Sequence, residues 1–331
     1  MRALVVGGTG HIGSAVVREL VAHGWRVTVL SRRAGGSRNL VGIDVTWHVG
    51  DGHDKADLRA AATGMTLVVD AAAPYPVHPV TPRSDADAHP VAFAVRRTQA
   101  LLGAAADAGA ALIAIGSFVT HKVRERRARS GLGRLRSRTL RRLHPYFAVK
   151  EGVEGELLAA ARRGQRVGLL NPTGCLGPWD LKPRGLCLVP MVACGELPST
   201  ASDTVDFIDV RDVAIGVRRM AETQHFGVPV LLAGHSHPFG DYFAEIARLA
   251  GRSAPRLSAP ASLGVVALWT AERTLGAIGR RPPWPALSLF IVAECGPVDR
   301  SVAQLALGVA PRPLSETLQD ALTWYRELGY C

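Results

Sequence analysis

Tyr146 and Lys150 stand four residues apart in "PYFAVKEG", and Pro145 before them suits the first position of a helix. On a helix that spacing puts phenol and ammonium on one face. A free tyrosine, with a pKa of about 10, is a poor acid–base group at neutral pH. A cation one turn away favours the phenolate and brings the group into range. Such a tyrosine can hand a proton to a carbonyl oxygen as hydride reaches the carbon, or take one in reverse. A hydroxyl on a neighbouring strand end would hold the same oxygen, and Ser117, closing "ALIAIGS", is placed for that.

Hydride chemistry calls for a dinucleotide, and "VVGGTGHIG" supplies a turn for one. Gly7 permits the tight turn, Gly10 lets the backbone approach a pyrophosphate, and Gly13 lets helix and strand pack closely. Thr9, His11 and Ile12 fall in the same stretch, where a helix N-terminus offers free N–H groups to the phosphates. The next strand ends Ser31-Arg32-Arg33, with no acid for ribose hydroxyls and two guanidinium groups suited to a 2′-phosphate. NADP(H) is therefore expected in preference to NAD(H). Asp51-Gly52, after the third short strand, is expected near the adenine.

These residues need a frame, and the first half of the chain provides one. "RALVVG", "RVTVLSR", "TLVVDAAA", "ALIAIGS" and "RVGLLNPTG" read as strands, separated by helical stretches such as "GSAVVRELVAHG" and "VAFAVRRTQALLGAAADAG". Alternation of this kind predicts an α/β fold, a Rossmann-type doubly wound parallel sheet. "VDFIDVRDVAIGVRRM" and "VPVLLAG" read as a return to that sheet. The last hundred residues are mostly helical with proline-rich joints. The expected division is a dinucleotide-binding domain of residues 1–174 plus 205–234, and a smaller, mostly helical substrate-binding unit of 175–204 plus 235–331.

Taken in this order, glycine turn, strand-end serine and Y-x-x-x-K, the sequence resembles the extended short-chain dehydrogenases/reductases nearly end to end. "GGTGHIG" is similar to the family's glycine region, and "VVDAAAP", with Ala71, Ala72 and Ala73, to its fourth-strand alanine motif. The resemblance implies a catalytic triad of Ser117, Tyr146 and Lys150. It implies that the backbone of "LLNPTGCLGP", with Asn171, Pro172 and Cys175, grips the nicotinamide carboxamide. "NPTGCLGP" with "FIDVRDVA" most resembles the dihydroflavonol-reductase-like branch. Three positions depart from the family pattern. Val205 stands where sugar-nucleotide epimerases commonly carry Arg, Ala94 where an Asn is frequent, and Gly116 where a second Ser is usual.

The chain has 331 residues, 47% of them hydrophobic, enough for a sizeable core. Its formal charge of +11 is local, because Lys122–Arg142 holds ten Lys/Arg against one acid, Glu125. Leu132, Leu135, Thr139 and Leu143 fall near one helical face of that stretch. It reads as a solvated helix, a lid steering an anionic substrate, or a docking segment for a membrane surface or acidic protein. Nucleic acid is not expected, since no aromatic residues interleave the arginines. The five cysteines (Cys175, Cys187, Cys194, Cys295, Cys331) are scattered, which fits a reducing, cytoplasmic setting. The apolar start is too short for a signal peptide. "ASLGVVALWTAERTLGAIG", interrupted by Glu272 and Arg273, reads as a buried or groove-lining helix, with membrane-surface contact as the alternative. The tight histidine pair in "GHSHP" lacks a third ligand and is expected in a loop, so no metal is expected.

The expected activity is NADP(H)-dependent hydride transfer to or from a carbonyl or secondary alcohol of a small metabolite, an anionic one where the basic stretch acts as a lid. The alternatives are a nucleotide-sugar or other epimerase/dehydratase that recycles NAD(P) internally, and a non-catalytic NADP(H)-binding redox sensor or scaffold. A homodimer is a possible assembly.

Overall fold

Short apolar runs buried on both faces make the centre of the molecule. The computed structural model describes residues 1–35, 37–72, 89–122, 144–181, 188–197, 199–278, 280, 286–298 and 302–330. The chain alternates from its start: β1 (Arg2–Val6), α1 (His11–Ala22), β2 (Arg26–Ser31), β3 (Thr46–Val49), α2 (Lys55–Ala62), β4 (Leu67–Asp70), α3 (Pro90–Asp107), β5 (Ala111–Ile115), α4 (Pro145–Arg162) and β6 (Val167–Pro172). Then follow β7 (Gly174–Leu176), α5 (Val189–Cys194), β8 (Ser199–Ala201), β9 (Thr204–Asp209), α6 (Val210–Glu222) and β10 (Pro229–Leu232). The last stretch holds β11 (His235–Pro238), α7 (Phe239–Leu249), β12 (Leu257–Ala259), α8 (Ala261–Ala277), α9 (Ala286–Cys295), α10 (Val302–Ala306) and α11 (Leu314–Glu327).

Seven strands pair in parallel in the order β10-β6-β5-β4-β1-β2-β3. The order reverses direction between β1 and β4, the switch point of a doubly wound sheet. Strands β4, β5 and β6 are buried at every residue, which a parallel sheet covered by helices on both faces requires. One cluster, with Val16, Leu20, Val213 and Val217, lies under α1 and α6. The other, with Leu58, Leu101, Val153 and Leu157, lies under α2, α3 and α4.

The structure differs from the sequence expectations at two places. Residues 204–209 do not rejoin the large sheet: β9 pairs in parallel with β7 and antiparallel with β11 in a separate three-stranded sheet. Apolar alternation marks a strand but not which sheet it enters, and only α6 and β10 return to the large one. The second correction concerns "GHSHP", whose histidines lie on β11 rather than in a loop. Around the small sheet, α5, α7 and α11 close over an aromatic core that includes Phe239, Tyr242, Phe243 and Tyr325.

Candidate active site

Strand β1 ends at Val6, and the chain must turn within four residues to begin α1. Gly7 takes the left-handed conformation (φ +83°) that L side chains avoid, and its carbonyl accepts the Gly10 N–H at 3.0 Å. A Cβ on Gly13 would overlap that same carbonyl, so helix and strand approach as only glycine allows. Helix α1 has no side-chain cap and no acid in its first turn, which leaves its positive end for an anion. Ala71 and Ala72, after β4, lie against Gly7. Ala73 is outside the described residues. His11 and Ile12 open the helix, and burial pushes the His11 pKa below its ordinary value, so its imidazole is neutral.

The turn is braced by a residue the sequence did not flag. Asn39 is buried and donates from Nδ2 to the Thr9 carbonyl at 3.0 Å and to the Trp179 carbonyl at 2.7 Å. Trp179 is itself left-handed (φ +71°), and the Arg18 guanidinium lies 4.8 Å from its ring centre. Arg32 and Arg33 are exposed just past β2, with the Arg33 N–H donating to Ser31 Oγ at 3.4 Å. Asp51 is exposed and caps its own turn through the His53 N–H, while Gly52 lies against Val6.

Helix α4 starts as its sequence predicts. His144 accepts the Tyr146 N–H at 3.3 Å, and Pro145 holds the first position. Tyr146 and Lys150 share the buried face, and Tyr146 Oη donates to Ser117 Oγ at 2.9 Å. Lys150 Nζ lies 5.9 Å from the Tyr146 ring centre. Burial pushes the Lys150 pKa down to about 8, against the attraction of the Asp70 carboxylate. The Cys175 thiol is pushed up to about 12 by burial, so it is a neutral group, with Sγ 3.6 Å from the Thr173 carbonyl.

Two buried polar networks hold these groups, and neither was anticipated from the sequence. In the first, Asn171 Oδ1 accepts the Ser117 N–H at 3.0 Å, and its Nδ2 donates to Glu154 Oε2 at 3.1 Å. Thr120 Oγ1 donates to the same carboxylate oxygen at 2.5 Å. The Asn171 side chain thus ties β6 to the end of β5 and to α4, a supporting position rather than an open one. Glu154 extends the Tyr146–Lys150 spacing by another four residues, a signal that was available. The network also explains Gly116, since a Cβ there would overlap Asn171 Oδ1.

In the second network Arg97, on α3, grips Asp70 with two parallel hydrogen bonds of 2.7 and 2.8 Å. Its Nε donates to the Gly52 carbonyl at 3.1 Å, and Asp70 Oδ1 also accepts the Ala72 N–H at 3.0 Å. Burial by itself would raise the Asp70 pKa, but Arg97 outweighs it and holds the carboxyl below its usual range. The pair links β4, the loop proposed for adenine and the charge environment of Lys150.

Around Tyr146 the walls are apolar. Phe118, Phe147, Leu287, Phe290 and Ile291 pack with it in one cluster, and Leu268 and Trp269 of α8 cover its edge. Lys122 Nζ donates to the Pro297 carbonyl at 2.7 Å, and the rest of the basic stretch lies outside the described residues. Among the described residues no group of three or more His, Cys, Asp or Glu is placed to hold a metal. Gly7, Gly13 and the uncapped α1, at the switch point beside a buried tyrosine–lysine pair, fit a nicotinamide dinucleotide.

Comparison with known proteins agrees. Residues 3–231 match the model of the NAD dependent epimerase/dehydratase family. The chain is 28% identical to "Putative dihydroflavonol 4-reductase" of Synechocystis sp., over 98% of this chain and 95% of the relative. It is 27% identical to sterol demethylase protein B of Methylococcus capsulatus, over 99% of both chains. Its fold matches UDP-glucuronic acid 4-epimerase from Bacillus cereus in complex with UDP-glucuronic acid and NAD, with a TM-score of 0.72, 18% identity, and coverage of 99% of this chain and 100% of that one. Through the match across residues 3–231 and the sheet that carries it, the chain belongs to the NAD-dependent epimerase/dehydratase family, the extended short-chain dehydrogenases/reductases.

Proposed function

We propose that the chain is an NADP(H)-dependent oxidoreductase that moves hydride between nicotinamide and a carbonyl or secondary alcohol. The observation that carries this reading is the 2.9 Å hydrogen bond from Tyr146 Oη to Ser117 Oγ, with Lys150 one turn further along α4. A substrate oxygen entering between the two hydroxyls accepts a hydrogen bond from each. In the reductive direction Tyr146 gives its proton to that oxygen, and in the oxidative direction it takes one. Lys150, protonated below a pKa of about 8, steadies the phenolate left behind. Asn171 fixes the Ser117 backbone while this happens. Bound at the glycine turn, the dinucleotide supplies the hydride donor or acceptor.

The apolar walls around Tyr146 favour a substrate whose body is apolar next to the reacting carbon. The basic stretch would add steering of an anionic group at the mouth, which a steep fall of kcat/KM with salt would reveal. Oxidation of NADPH, followed optically over a panel of ketones and aldehydes, tests the whole reading. Net consumption of NADPH supports it. An isomerised product with no net change in cofactor supports the recycling epimerase instead, the reading favoured by likeness to UDP-glucuronic acid 4-epimerase.

Cofactor choice rests on Arg32 and Arg33, which are exposed past β2 and free to meet a 2′-phosphate. Replacing both with Ala should weaken NADPH binding by a factor on the order of ten to a hundred, since a charge-assisted hydrogen bond contributes roughly 1.5–3 kcal/mol. NADH binding should hardly change. Equal wild-type affinity for the two cofactors, measured by titration calorimetry, would refute the preference.

A further inference from the structure

The sequence predicts a buried or groove-lining helix for "ASLGVVALWTAERTLGAIG", and one face of α8 is the reverse. Leu263, Val266, Ala267, Thr270, Thr274 and Ala277 recur at three- and four-residue spacing, and all are exposed. Leu263 and Val266 are each 65% exposed, and Ile278, next on the same face, is 66% exposed. The threonines do not make this face polar. Thr270 Oγ1 donates to the Val266 carbonyl at 2.8 Å and Thr274 Oγ1 to the Thr270 carbonyl at 3.0 Å, leaving their methyl groups for the surface. Glu272, by contrast, is buried and accepts the Ala286 N–H at 3.0 Å, at the start of α9. It is the one acid between Gly251 and Arg280, where Arg252, Arg256, Arg273 and Arg280 are all exposed. Leu257, on the strand leading into the helix, is 69% exposed.

We infer that this face docks on the surface of an anionic lipid bilayer, with α8 lying in the headgroup plane. The apolar stripe gains by leaving water for the acyl boundary, and the surrounding guanidinium groups are drawn to anionic headgroups. A second copy of the chain is the poorer occupant, because apposing identical faces brings these arginines together while the one acid of the segment, Glu272, is buried. Among the described residues no helix is long and apolar enough to cross a membrane, so α8 lies on the bilayer and does not span it. Its inner residues Val265, Leu268 and Trp269 pack on the cluster around Tyr146, so the docked helix is also a wall of the candidate site.

The test is co-sedimentation of the full chain with phosphatidylcholine vesicles and with mixed phosphatidylcholine–phosphatidylglycerol vesicles. The protein should bind the mixed vesicles. The variant Leu263→Ser/Val266→Ser/Ile278→Ser should lose at least about tenfold in partition constant. Arg252→Gln/Arg256→Gln/Arg280→Gln should lose about fivefold per charge, and the loss should shrink at high salt. All six positions are exposed, so both variants should keep the wild-type melting midpoint. Three results would overturn the proposal: no binding to mixed vesicles, undiminished binding by the serine variant, or a wild-type dimer that the serine variant turns into a monomer.

Discussion

Lys150 carries a free-energy cost that its position imposes. Its pKa is pushed down from an ordinary 10.5 to about 8 because the ammonium is buried. Below pH 8 folded and unfolded chains both hold the proton, and the folded form bears the full penalty. Between about 8 and 10.5 the unfolded chain still holds a proton that the folded one has released, so stability rises with pH across that window. Lys150→Met should therefore stabilise the cofactor-free protein at pH 7, by up to about 3 kcal/mol at 1.36 kcal/mol per pKa unit. The advantage should narrow above pH 8 while catalysis is lost, a trade of stability against activity. Calorimetric melting of both proteins at pH 7 and pH 9.5 checks this, and a less stable variant at pH 7 would contradict it. Tyr146, Lys150 and Ser117 were legible in the sequence because proton transfer restricts both residue type and spacing. Arg97 and Asp70 were not, because a buried pair separated by 27 positions has no periodicity that betrays it.

At the scale of elements, the site depends on the ends of β5 and β6 being locked to α4. Gly116 permits the lock, and Asn171 and Glu154 make it. Gly116→Ala should displace the Asn171 side chain and leave buried polar groups poorly paired, at a cost of about 1–3 kcal/mol. Ser117 would lose its anchor as well, so kcat should fall by more than the melting midpoint alone explains. A variant with wild-type kcat and stability would show that the lock is not needed. The strands and helices of the first half were readable because a parallel sheet needs continuous apolar runs and helices need their own period. The sheet joined by β9 was not readable, nor was the outward face of α8. An apolar run records that a segment avoids water, and it does not say which partner it meets.

For the whole molecule, the candidate site draws together elements that are far apart in the chain. Ser117 follows the end of β5, Tyr146 and Lys150 lie on α4, and α8 and α9 complete the apolar walls that Phe118 and Phe147 begin. Helix α11 ties the arrangement together: Asp320 pairs with Arg211 at 2.6 Å, and Tyr325 Oη donates to Asp180 at 3.2 Å. In the proposed reaction this assembly moves a proton through Tyr146 in step with hydride. The most direct measurement compares NADPH-coupled turnover of Tyr146→Phe with wild type, on a carbonyl substrate the wild type reduces. The phenyl ring keeps the packing, so fold and cofactor affinity should be retained. Turnover should fall by at least about a hundredfold, the low end for a positioned acid–base group. Wild-type turnover in Tyr146→Phe would contradict the account.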